Sequence, residues 1–131
     1  MKLSILALAA LILGGVCLFS CSKSDKHFQS VSVQEFEEVI KNPDVQILDS
    51  RTPEEYAEGH LLKAINIDVK DSSFEVNALN SLDRTKNVAV YCRSGRRSKM
   101  AAEMLYKNGF KVIELDGGII DWMDKNKPIV R

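Results

Sequence analysis

The sequence predicts an α/β domain built on a largely parallel sheet, and three observations carry that prediction. Short apolar runs of strand length alternate with segments of helical periodicity. Three polar clusters, Asp49-Ser50-Arg51, Cys92 to Arg97 and Asp116-Gly117-Gly118, fall where strands of such a sheet end, which is where open α/β sheets receive ligands. With 131 residues, 45% of them hydrophobic and 27% charged, the chain has the globular balance of about one domain.

The elements follow in order. Ser32-Val33-Gln34-Glu35 has the form of a capping box and opens a helix, FEEVIKN, that stops before Pro43. Val45 to Asp49 is a strand-length apolar run. Thr52-Pro53-Glu54-Glu55 starts a second helix, with a capping threonine, proline at the first helical position and glutamate at the third; Gly59 ends it. Ala64 to Ile67 reads as a strand and Glu75 to Leu82 as a weak helix. Asn87 to Tyr91 is a strand that runs directly into CRSGRRS, residues 92–98. From Arg97 or Ser98 a helix carries Met100, Ala101, Met104 and Leu105 at helical spacing and stops at Asn108-Gly109. Lys111 to Leu115 is the next strand, and after Gly117-Gly118 a last helix spans Ile119 to Lys125 with Trp122 in the core.

The N-terminus is set apart from this pattern. After Lys2 the uncharged stretch LSILALAALILGGVCLF runs to Ser20-Cys21 and gives way at once to polar residues, the layout of an export signal. It is slightly short for a spanning helix of ~20 residues, and Gly14-Gly15 weakens it as one. Leu18-Phe19-Ser20-Cys21 resembles the lipobox of bacterial lipoproteins. That resemblance implies a signal peptide over residues 1–20 and a lipid on Cys21, with residues 21–30 as a polar tether holding His27 and residues 31–131 as the domain. The protein is then expected to be anchored in a membrane facing the periplasm. Ser22 gives no inner-membrane retention signal, which favours the outer membrane. An uncleaved anchor, or an ordinary signal that leaves Cys21 incidental, is the alternative.

Cysteine usage sharpens the function. Of three cysteines, Cys17 lies in the signal and Cys21 at its end, so Cys92 alone belongs to the domain and has no intramolecular partner. A lone thiol in an oxidising compartment is either a reactive group or a buried small hydrophobe. Its surroundings favour the first reading. Cys92 ends a strand and precedes a helix, so its sulfur can meet backbone N–H groups at a helix N-terminus, where a thiolate is favoured. Gly95 allows the tight fold of the loop. Arg93, Arg96 and Arg97 bring positive potential and forked donors for an anion. Together with Lys99 they oppose the helix macrodipole, an arrangement that costs stability unless an anion offsets it.

Three segments resemble single-domain rhodanese-like proteins. LDSRTPEEYAEGHLLKAINI, residues 48–67, is similar to the family's D-x-R, E-x-Y, G-H and A-x-N-I elements; CRSGRRS resembles its active-site loop; and LDGGIIDW, residues 115–122, resembles its L-x-G-G-x-x-x-W element. Lys63 stands where the family usually has glycine. The resemblance implies a largely parallel sheet with helices on both faces, and sulfur transfer through a persulfide on Cys92. The remaining loop residues Arg93, Ser94, Gly95, Arg96, Arg97 and Ser98 would bind the substrate. Asp49 would be structural, and Arg51 either a substrate or loop contact or half of an ion pair; His60 would be structural.

The expected partners are a small thiosulfate-like anionic donor and a thiol or cyanide acceptor. No cofactor, metal or nucleic acid is called for, and the 18 basic and 18 acidic residues leave no net basic footprint. A monomer is expected. Cysteine phosphatases and arsenate reductases of this family place arginine one position later than Arg97, where this chain has Ser98, so they are the weaker alternative. A non-enzymatic binding module is the other, and it usually accompanies loss of the cysteine, which is present here.

Overall fold

The structure is a computed structural model that describes residues 27–131. The expected signal and Cys21 lie outside the described residues. Five strands form one sheet: β1 (Gln29–Val31), β2 (Gln46–Asp49), β3 (Ile65–Asn66), β4 (Val88–Tyr91) and β5 (Val112–Leu115), in the order β1-β5-β4-β2-β3. All four pairings are parallel. Five helices alternate with them: α1 (Val33–Ile40), α2 (Pro53–Glu58), α3 (Phe74–Ser81), α4 (Arg96–Lys107) and α5 (Gly118–Asp124).

Both faces of the sheet are covered, as parallel sheets require. On one side Val88, Val90 and Val112 pack with Ala101, Ala102 and Leu105 of α4 and Phe74 and Ala78 of α3. On the other, Ile47, Ala89, Tyr91 and Leu115 pack with Val33 and Phe36 of α1 and Ile119 and Trp122 of α5. Every residue of β4 is buried, so the strand that delivers Cys92 is held from both faces.

Both expected capping boxes form. The Ser32 and Thr52 hydroxyls accept the backbone N–H of Glu35 and Glu55, whose carboxylates reach back to the cap N–H groups. The structure also differs from the sequence reading in places. β1 takes up Gln29 and Ser30, which the sequence assigns to the tether, because their backbone pairs with Ile113 and Glu114 of β5. His27, read as a solvated linker residue, stacks on Tyr106 at 4.3 Å between centroids and contacts Glu103 at 2.7 Å. β3 shrinks to two residues at the sheet edge.

Lys63 takes the place of a glycine in conformation as well as in position, with φ of 70°. The left-handed region costs a non-glycine residue about 1–2 kcal/mol, against the ~0.5–1 kcal/mol that glycine loses in chain entropy. Lys63→Gly should therefore stabilise the domain by up to about 1 kcal/mol, read as a raised midpoint in urea unfolding with an unchanged slope.

Candidate active site

The loop after β4 is held in place by backbone. Cys92 is 1% exposed, and the Gly95 N–H donates to its Sγ at 3.1 Å. Gly95 caps α4 with φ of 103°, and a Cβ there would lie 1.9 Å from the Asp116 carbonyl oxygen. Gly118, at φ of 68°, meets the loop from the other direction: a Cβ would sit 2.1 Å from the Arg93 carbonyl oxygen. The Ile119 and Ile120 N–H groups of α5 donate to the Cys92 and Arg93 carbonyls at 2.9 and 3.2 Å. The Gly117-Gly118 pair is thus the seat of the cysteine loop, and both conformation and lack of space call for glycine at Gly95 and Gly118.

The arginines divide into two kinds. Arg93 and Arg96 are exposed and have no side-chain partner among the described residues. Arg97 is instead clamped by Glu55 of α2 in a bidentate ion pair at 2.7 and 2.9 Å. The Glu55 carboxyl, read from sequence only as a cap, therefore serves Thr52 and Arg97 together. The Arg97 hydrogen bond holds its pKa down to about 2 against the opposing effect of burial, with Thr52 adding to the depression.

Two other sequence-designated residues are engaged by carboxylates of the protein itself. Ser98 is fully buried and donates its hydroxyl to Glu114 of β5. Arg51 is 6% exposed; it donates to Asp49 through Nε and Nη2, the latter at 2.6 Å, and to the Gly59 carbonyl at 2.7 Å. Of the two readings left open for Arg51, the ion pair is the one found. Asp49 also accepts from the Tyr91 hydroxyl at 2.8 Å, and that hydroxyl accepts from Leu61 N–H at 3.1 Å. Burial, reinforced by the Asp49 charge, pushes the Tyr91 phenol well above its ordinary value, so it stays a donor. This network braces the residue immediately before Cys92. His60 stacks on Tyr56 at 3.8 Å and pairs with Val130, a structural placement. Ser94 is exposed.

Among the described residues no three His, Cys, Asp or Glu side chains gather as a metal site. What the site offers is one thiol carrying a backbone donor, with two uncommitted guanidinium groups on the same loop. The fold and the loop together define a class: parallel α/β domains that carry a cysteine loop between the carboxyl end of a central strand and a helix N-terminus. The family follows from comparison with known proteins: the Rhodanese-like domain model matches residues 32–125, and the chain belongs to that family.

Its relatives carry several kinds of name, sulfurtransferase and tRNA uridine(34) hydroxylase among them. A putative sulfurtransferase of Bacillus subtilis is 32% identical over 92 residues, covering 70% of this chain and 86% of its own length. A sulfurtransferase of Allochromatium vinosum is 35% identical, covering 66% and 79%. A tRNA uridine(34) hydroxylase of Pelagibacter ubique is 34% identical over 86% of this chain, but the match spans only 37% of that protein. Among solved structures, a rhodanese-related protein of Thermoplasma volcanium superimposes with a TM-score of 0.69 at 31% identity, covering 79% of this chain and 98% of its own.

The Glu55–Arg97 pair has a pH signature. A carboxyl whose folded pKa is depressed stabilises the fold above its unfolded value, near 4.5, and that contribution is lost as pH falls toward 2. Arg97→Met should remove much of this dependence, so unfolding free energies measured at pH 6 and pH 3 should differ less in the variant than in the wild type.

Proposed function

We propose that this protein is a sulfurtransferase that moves a sulfane sulfur from thiosulfate, or a similar anionic donor, to a thiophilic acceptor through a persulfide on Cys92. The observation that carries the reading is the placement of Cys92, at the end of a fully buried strand with the Gly95 N–H on its sulfur. Arg93 and Arg96 support an anionic donor, being exposed and uncommitted. Arg97 and Ser98 contribute by shaping the loop, through Glu55 and Glu114. The relatives named as sulfurtransferases favour this reading over hydroxylation, because they are matched over most of their own length and the hydroxylase over a minor part.

The chemistry balances without a cofactor. The Cys92 thiolate attacks the outer sulfur of thiosulfate, a new S–S bond forms, and the original S–S bond breaks with its electron pair leaving on sulfite. Cyanide or a thiolate then attacks the outer sulfur of the persulfide, taking it as thiocyanate or as a new persulfide, and the Cys92 thiolate returns. The two half-reactions predict ping-pong kinetics. Incubation with thiosulfate should raise the mass of the protein by one sulfur atom, located on Cys92 and absent from Cys92→Ala. No gain from any sulfane-sulfur donor would overturn the proposal. A Cys92→Ala protein fully active in the cell would support a binding module instead.

We further propose that a lipid on Cys21 holds the domain at a periplasmic membrane surface. The sequence Leu18-Phe19-Ser20-Cys21 supports this, and the topology is compatible with it. β1 runs parallel to β5 and β4, so the chain enters the sheet at the end opposite the one from which Cys92 emerges. A tether ending at β1 would leave the cysteine loop on the side away from the bilayer. The mature N-terminus in the membrane fraction should be a lipid-modified Cys21 by mass spectrometry, and an unmodified N-terminus elsewhere would refute the anchor.

A further inference from the structure

Glu114 is a fully buried carboxylate on the sheet face that α4 covers, and the transfer chemistry makes no use of it. It is the partner of Val90 of β4 and of Ser30 of β1 in the strand register. A buried carboxylate is costly unless its oxygens are satisfied. Here the Ser30 hydroxyl donates at 2.7 Å, the Ser98 hydroxyl donates to the other oxygen, and Lys99 Nζ stands 3.3 Å away. Two of those three partners lie in the first turn of α4. That turn has no acidic residue and no side-chain cap of its own, while Arg96, Arg97 and Lys99 load it with positive charge.

Lys99 continues the line of contacts toward sulfur. Its Nζ donates to the Gly95 carbonyl at 3.3 Å and to Asp116 at 2.8 Å. Gly95 in turn supplies the N–H that meets Cys92 Sγ at 3.1 Å. The path from Glu114 to the sulfur therefore runs through one ammonium group and one residue of backbone.

We infer that Glu114 is a positioning residue for Cys92: through Lys99 and Ser98 it holds the first turn of α4 and the Gly95 backbone so that the Gly95 N–H stays on the sulfur. The inference rests on Cys92 being the reacting group of the proposed function. Position and charge make opposite demands here. A negative charge acting directly on Cys92 would oppose the thiolate, whereas a firmly held donor favours it. Removing the charge of Glu114 while keeping its shape separates the two.

The test is the rate at which iodoacetamide, a neutral reagent that does not need the arginines, alkylates Cys92 in Glu114→Gln, Lys99→Met and the double variant, with urea unfolding measured alongside. Each single variant should react about five- to ten-fold more slowly than wild type, the scale of weakening one hydrogen bond to a charged group. The double variant should be no slower than the slower single one, because both break the same path. Lys99→Arg should recover most of the rate. Folded variants that lose stability but alkylate at the wild-type rate would reduce Glu114 to a structural role and overturn the inference. Faster alkylation of Glu114→Gln would overturn it too, showing a direct charge effect. If Glu114→Gln does not fold, Lys99→Met decides alone, its altered side chain being 39% exposed in the wild type. The readout uses no sulfur donor, so failure of thiosulfate to load Cys92, which would sink the sulfurtransferase reading, is distinguishable from failure of Glu114 to position the Gly95 N–H.

Discussion

The site depends on one close approach of backbone to backbone. The cysteine loop lies against the start of α5, where Gly118 leaves no room for a side chain beside Arg93, and Gly95 leaves none beside Asp116. Two carbonyls of the loop, those of Cys92 and Arg93, are taken by α5 amides. A loop so fixed brings an N–H to the sulfur through backbone contacts, and peptide groups held on both sides reorganise little. The two segments are joined through β4 and β5, neighbours in the sheet, so the sheet register sets the loop geometry.

Electrostatic contacts add to the backbone ones that place the loop. A run of basic residues at a helix N-terminus is unfavourable by itself. The fold answers part of that charge with carboxylates from three other places: Glu55 from α2, Glu114 from β5 and Asp116 just beyond it. Arg93 and Arg96 remain uncommitted on the solvent side. The positive charge is thus divided into a part that builds the loop and a part left available to an anion.

The same division explains how the family elements of the sequence fit together. The D-x-R element forms a buried ion pair that, with the Tyr91 hydroxyl, braces the end of the strand delivering Cys92. The L-x-G-G element is the seat of the loop. Neither touches the sulfur, yet both set where it lies. The position of the sulfur therefore depends on residues with no chemistry of their own.

Local signals were legible in the chain. Both capping boxes, the loop itself, the lone Cys92 and the alternation that makes a parallel α/β sheet are read within a few residues, because caps, turns and periodicity are short-range. β1 was not legible: three residues with a polar beginning become a strand only by pairing with β5, far along the chain. The roles of Arg51, Arg97 and Ser98 were likewise decided in three dimensions. Which residues carry charge around the cysteine can be read from the chain, since composition and spacing are local. Which of them are engaged follows from the fold, because the carboxylates that hold Arg97, Ser98 and Lys99 come from elements that folding alone brings beside α4.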